Sequence, residues 1–244
     1  MTTFQNKTIV VIGGSSGIGF AVALASLQSF ASIVIIASSN QTRVNDAVER
    51  LRMHQLPGEV RGDVLDGKDS AAVKLFAEKL GAVDHIVWTS GDLPEGVYTS
   101  ADTVEQGQEM FSVRFWGPFI VAKYAKFHPG GSLTLTSGVG GLKPHPGIGW
   151  VSSVPAALDG LVRGLAVDLA PVRVNVVNPG AIDTELFDKR FGDKKEEIFK
   201  AFTQKILLKR VGEASEIAEA YLFLMRCGYI TGQRIDVEGG WLLL

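Results

Sequence analysis

Thr8-Ile9-Val10-Val11-Ile12-Gly13-Gly14-Ser15-Ser16-Gly17-Ile18-Gly19-Phe20-Ala21-Val22-Ala23-Leu24-Ala25 runs from a short β-branched stretch through a glycine-rich turn into an apolar helical segment. Residues 8–12 lack the alternation of a half-exposed strand, so they read as a strand covered on both faces. Glycines directly after a strand let the backbone turn tightly and approach an anion closely. The helix beyond them aims its free amides and positive dipole end at the same point. A glycine cluster alone says little. Set between the first strand and the first helix, this one reads as a pyrophosphate-binding turn.

The pattern that begins there continues along the chain. Clear strand candidates lie at residues 8–12, 33–37, 85–89, 132–136, 173–177 and 234–237, most of them rich in Val and Ile. Between them, residues 20–30, 46–53, 70–80, 104–126 and 153–169 are long enough for helices. Strand–helix alternation predicts right-handed crossovers and a doubly wound α/β Rossmann fold, a parallel sheet with helices on both faces. A length of 244 residues suits one such domain across 1–244. The segment 184–209 is charged and helix-prone, and reads either as a solvated excursion or as a substrate lid after a strand's carboxyl end.

Composition narrows the partners. A net charge of −2 with 20% charged residues gives no electrostatic reason to expect nucleic acid or an anionic membrane. The single cysteine, Cys227, has no partner for an internal disulfide and no companion for a zinc cluster, so no metal is expected. The start of the chain leads straight into strand and glycines, with too short an apolar run for an export signal. A cytoplasmic protein acting on a small molecule is the expectation.

The glycine spacing is GxxxGxG, and with it the chain resembles the short-chain dehydrogenase/reductase family. Asp63 and Val64, in Gly62-Asp63-Val64, fall where the family places an aspartate beside the adenine. Trp88-Thr89-Ser90-Gly91 stands in the place of the family's Asn-Asn-Ala-Gly. The run from Asn178-Pro179-Gly180 through Ala181-Ile182-Asp183-Thr184 resembles the segment behind the nicotinamide. From this resemblance Gly13, Ser15, Ser16, Gly17, Ile18, Ser90, Gly91, Pro179, Gly180, Ile182 and Thr184 are expected to hold a dinucleotide. Beyond the second strand, Ser38-Ser39-Asn40-Gln41-Thr42-Arg43 contains no acid to accept hydrogen bonds from ribose hydroxyls. Hydroxyls, an amide and a guanidinium suit a 2′-phosphate instead, so NADP(H) is the expected cofactor, held by Ser38, Ser39, Asn40 and Arg43.

The family's catalytic set is largely replaced. In register, Trp150-Val151-Ser152-Ser153-Val154 occupies the Tyr-x-x-x-Lys segment, so Trp150 stands for the tyrosine and Val154 for the lysine. Arg114, in Val113-Arg114-Phe115-Trp116-Gly117, takes the asparagine position, and Ser137 alone keeps the family's residue. An indole and an isopropyl group have no proton to give near neutral pH, and a lost general acid costs roughly 10²–10⁴-fold in rate. The substrate is then either an already activated electrophile, such as an iminium, or it meets a replacement acid. Candidates are Asp92, otherwise a turn cap; Arg114, otherwise a rim ion pair; and His145, otherwise a surface loop residue. Trp88, Trp116 and Trp150 suggest an aromatic wall, with core packing as the alternative for Trp116.

These departures resemble a divergent branch of the family found in fungal natural-product pathways. That branch includes tailoring reductases and bifunctional reductases that also steer a Diels–Alder cyclisation. The resemblance implies an NADPH-dependent reductase of a small apolar intermediate. A cyclase or isomerase holding NADP(H) as scaffold, and a non-catalytic cofactor-binding protein, stand as alternatives. It also implies a homodimer or homotetramer, and the tail Trp241-Leu242-Leu243-Leu244 suits either an interface or a pocket lining.

Overall fold

The computed structural model describes residues 3–91, 104–144 and 146–244. Its first half alternates β1 (Thr8–Ile12), α1 (Gly17–Gln28), β2 (Ile33–Ser38), α2 (Gln41–Met53), β3 (Glu59–Val64), α3 (Ser70–Lys79) and β4 (Ala82–Trp88). Then come α4 (Val104–Phe111), a π-helical turn (Ser112–Trp116), α5 (Gly117–Tyr124), β5 (Lys126–Thr136), α6 (Ser153–Asp168) and β6 (Arg173–Pro179). The last part holds β7 (Ile182–Asp183), α7 (Glu185–Phe191), α8 (Lys195–Gln204), β8 (Gly212–Glu213), α9 (Ala214–Arg226) and β9 (Arg234–Val237).

Seven strands form one sheet in the order β3-β2-β1-β4-β5-β6-β9, and every neighbouring pair is parallel. The order reverses between β1 and β4, so a crevice opens at the carboxyl ends of those strands. Strand geometry sends alternate side chains to opposite faces. Ile9 and Val11 join α1, α2 and α9 in one core layer, while Val10 and Ile12 join α3, α5 and α6 in the other. Burying each such aliphatic side chain contributes roughly 1.5–3 kcal/mol, which is why these strands need no polar face.

Two differences from the expected pattern have physical causes. The strand β3 is not among the clear candidates because its sequence is mostly polar: this edge strand, Glu59–Val64, buries only Val60 and exposes the rest. The helix expected over 104–126 is interrupted by the π-helical turn, where the Gly117 amide bonds to the Ser112 carbonyl, five residues back. The segment 184–209 folds into α7 and α8, with Lys195 Nζ at 2.7 Å from Asp183 and 2.6 Å from Asp188. Those two carboxylates raise the lysine's pKa.

One buried polar group sits beneath the sheet. His85 on β4 places Nδ1 2.8 Å from the Ser132 hydroxyl and its ring edge-on to Phe4. Burial, with Arg173 and Lys7 adding to it and Asp84 opposing, lowers its pKa from 6.5 to about 4, so the imidazole is neutral in the folded protein. No helix among the described residues is long and apolar enough to cross a membrane.

Candidate active site

The glycine turn links β1 to α1 at the reversal point of the sheet. Gly17 adopts φ +50°, a left-handed conformation that disfavours side chains. A Cβ on Gly19 would stand 2.2 Å from the Gly13 carbonyl oxygen and 2.5 Å from Thr89 Oγ1, so α1 and β4 close on the turn only with glycine there. Ser16 precedes the helix without capping it through its side chain. The Gly17 amide instead donates to Glu185 Oε2 at 2.8 Å, a carboxylate standing where an anion binds best. That stand-in shows that the turn fits a phosphate oxygen.

The second end of the crevice forms at β2 and β3. Ser15 Oγ donates to Ser38 Oγ at 2.9 Å, and Arg43 Nη2 donates to Ser39 Oγ at 3.2 Å. Asn40 caps α2, its side-chain oxygen accepting from the Arg43 amide, so that oxygen is already committed. Asp63 and Val64 are exposed at the carboxyl end of β3, beside Ala37 and Ser38 in the register. The structure thus gathers hydroxyls, a guanidinium and the edge of β3 at one point, a fit for a phosphorylated ribose.

From the other side of the turn, a cavity of about 280 Å³ opens at the carboxyl ends of β4, β5 and β6. Its inner wall carries Ile18, Gly91, Ser137, Pro179, Gly180, Ile182 and Thr184, so segments far apart in sequence meet around one space. Arg114 also lines it, projected from the π-helical turn. A Cβ on Gly91 would lie 2.6 Å from Arg114 Cζ, so glycine is what lets the guanidinium settle against the backbone after β4. Ser137 is buried in this wall, its Oγ making a long 3.4 Å hydrogen bond to the Pro155 carbonyl. Beside it, Thr136 Oγ1 donates to the Trp88 carbonyl at 2.7 Å and lies 2.6 Å from the Tyr221 hydroxyl. Tyr221 is fully buried, and burial raises its pKa above the usual phenol value.

The outer wall is apolar and comes from late in the chain. Leu186 and Phe187 from α7, Phe202 from α8 and Trp241 line the cavity, with Arg190 among them. Phe187 packs 5.2 Å from Phe199, and Phe202 packs 5.0 Å from Trp241. The tail is pinned by Lys143 Nζ donating to the Trp241 carbonyl and by the Leu242 amide donating to Glu238 Oε2. Leu243 and Leu244 stay exposed.

The expected aromatic wall of Trp88, Trp116 and Trp150 is corrected by this arrangement. Trp88 is 1% exposed in the core, its indole N–H donating to the Ser90 carbonyl. Trp116 is 50% exposed and packs edge-on against Phe115 and Phe119, outside the cavity. Trp150 is half-buried, and its neighbours Val151, Ser152, Val154 and Pro155 form the lining in its place. Its buried Nε1 has no hydrogen-bond partner among the described residues. Asp92 and His145 lie outside the described residues. Thr136, Met110, Phe187 and Phe202 are among the lining residues that the sequence does not single out. The aromatic spacing Phe187, Phe191, Phe199 and Phe202 is the available signal for a packed lining rather than a solvated one.

Comparison with known proteins agrees with this geometry. The profile described as an SDR-like Rossmann domain, the short-chain dehydrogenase/reductase type, matches residues 2–244. The short-chain dehydrogenase/reductase malC of Malbranchea aurantiaca is 36% identical over 258 aligned positions, covering 98% of this chain and 96% of that protein. The solved MalC reductase/Diels-Alderase superposes with a TM-score of 0.91 at 34% identity, covering 99% of this chain and 98% of the other. A small-chain dehydrogenase solved in complex with NADPH superposes at TM-score 0.77 and 30% identity, over 98% of this chain and 99% of the other. An NADPH-bound short-chain oxidoreductase of Pseudomonas aeruginosa PAO1, containing an atypical catalytic center, gives 0.83 at 26% identity, over 98% of both chains.

Proposed function

The chain belongs to the short-chain dehydrogenase/reductase family, and from that premise we propose that it is an NADPH-dependent reductase of a small apolar intermediate that works without the family's tyrosine and lysine. The observation that carries this reading is the meeting of two halves. A glycine turn fitted to an anion opens onto the same space as an apolar cavity that holds Ser137 and Arg114.

When bound, NADPH supplies hydride to an electrophilic carbon and leaves as NADP⁺. In this reading Gly13, Ser15, Ser16, Gly17 and Ile18 hold the pyrophosphate, with the amides of α1 as donors. Ser38, Ser39 and Arg43 hold the 2′-phosphate, and Asp63 and Val64 border the adenine. Ser90, Gly91, Pro179, Gly180, Ile182 and Thr184 border the nicotinamide side. Arg114 does not release a proton near neutral pH, so its role is to donate hydrogen bonds to an oxygen that gains negative charge. Ser137 orients the same oxygen. Valine at position 154, wholly buried, and the indole of Trp150 leave no general acid at the family's position. In this reading the substrate carries its own activation: an iminium, which hydride simply neutralises, or a conjugated carbonyl, whose enolate oxygen rests on Arg114 and Ser137 and takes its proton from water. The helices α7 and α8 act as the lid, since Leu186, Phe187, Arg190 and Phe202 supply the outer wall.

The test has two stages. NADPH and NADH are titrated by cofactor fluorescence against the protein and against Arg43→Ala. Selective NADPH binding that weakens about tenfold in the variant is expected, since a charge-assisted bond to phosphate is lost. Polycyclic iminium and conjugated carbonyl compounds are then offered with 4-deuterated NADPH. Stereospecific transfer of deuterium to product is the expected result, and conversion without label transfer sinks the reductase reading. Likeness to the MalC reductase/Diels-Alderase favours a second reading, cyclisation in the apolar cavity with the cofactor as part of its wall. Conversion at equal rates with NADP⁺ and NADPH identifies that case.

A further inference from the structure

We propose that Glu185 is a built-in competitor for the pyrophosphate seat and thereby limits how tightly NADP(H) is held. This rests on the cofactor reading above and adds to it a residue outside the expected binding set.

The carboxylate reaches the turn from a distant part of the chain. Glu185 opens α7, 168 positions beyond Gly17, yet its Oε2 accepts from the Gly17 amide at 2.8 Å. The two segments are in contact there: a Cβ on Gly17 would lie 3.2 Å from Thr184 Cβ. Gly17 is the first residue of α1, where the helix amides and the positive dipole end converge, and the Ser16 side chain makes no capping bond. Charge-assisted bonds from a carboxylate to such an amide are about twice as strong as neutral ones.

One amide proton does not serve a carboxylate and a phosphate oxygen at once, and two negative groups at one helix end repel each other. Binding of the dinucleotide therefore requires Glu185 to turn away. Its side chain is exposed, so the rotation is open to it and only the bond to Gly17 is lost. The competitor acts at the pyrophosphate, which NADPH and NADH share, and so leaves the choice between them to Arg43.

The experiment titrates wild type, Glu185→Gln and Glu185→Ala with NADPH and with NADH by cofactor fluorescence. Removing the carboxylate is expected to tighten NADPH about tenfold in Glu185→Ala, corresponding to about 1.4 kcal/mol. Glu185→Gln keeps an uncharged acceptor and falls between that variant and wild type. The NADPH-to-NADH preference stays as in wild type. Variants that bind NADPH no more tightly than wild type overturn the proposal while leaving the cofactor reading in place. A wild-type protein with no affinity for either nucleotide overturns the cofactor reading, and this inference with it.

Discussion

Replacing Tyr221 by phenylalanine should destabilise the wild-type protein yet stabilise the Thr136→Val variant. Thr136 has one hydroxyl proton and gives it to the Trp88 carbonyl at 2.7 Å. The Tyr221 hydroxyl, 2.6 Å away, must then donate to Thr136 Oγ1, and its raised pKa keeps it protonated. Tyr221→Phe removes that donor and leaves no buried group stranded, at a cost of about 1 kcal/mol. Thr136→Val loses the bond to Trp88 and also strands a fully buried phenol hydroxyl, which together cost about 3 kcal/mol. In the double variant both polar partners are gone, so the stranding penalty of roughly 1–2 kcal/mol disappears. Urea unfolding followed by far-UV circular dichroism measures all four proteins, and in a chain of this length 1 kcal/mol shifts Tm by about 2–4 °C. A Tyr221→Phe change of the same sign and size in both backgrounds would refute the donor assignment and the coupling drawn from it.

Gly19→Ala drives a methyl group into the Gly13 carbonyl; it should cost about 1–3 kcal/mol and abolish NADPH binding, read by thermal unfolding and fluorescence titration. The lowered pKa of His85 means that the unfolded chain binds one proton more than the folded one between pH 6.5 and about 4. Stability should therefore fall as pH drops through that window, by up to about 3 kcal/mol, and His85→Gln should flatten the dependence in urea midpoints at pH 7 and 4.5. Lys195→Met breaks both ion pairs that join α7 and α8 to β7. Global stability should change little, while amide exchange within 184–209 accelerates.

Legibility in the sequence divides by burial. Most sheet strands announce themselves through runs rich in Val, Ile or Leu, so six of the seven are readable, the edge strand β9 through Ile235 and Val237, while the polar edge β3 is not. The glycine turn is readable because its function constrains local backbone, and local constraints leave local residues. The outer wall of the cavity is legible only as segments, 184–209 as a lid or a solvated excursion and the tail as a lining or an interface, and not residue by residue. Phe187, Phe202 and Trp241 meet only through tertiary packing of α7, α8 and the tail. Trp88 misleads for a related reason: an indole on an inner strand packs between layers whatever lies at the strand's end. Glu185 is not singled out although its neighbour Thr184 is, because no sequence pattern tells which side chain reaches the Gly17 amide across 168 positions.

The π-helical turn at Ser112–Trp116 has a consequence for how this protein can vary. One residue beyond the α-helical count rotates everything upstream by about 100° relative to the helix downstream. α5, whose Val121 and Ala122 lock into the sheet, thus keeps its phase whatever faces α4 presents. The turn works as a slip coupling between a fixed shaft and an adjustable one. Loss of a single residue there would return a straight helix and swing the Arg114 guanidinium away from Gly91. Relatives that differ by one residue in this stretch would then share a scaffold while presenting different chemistry to the cavity.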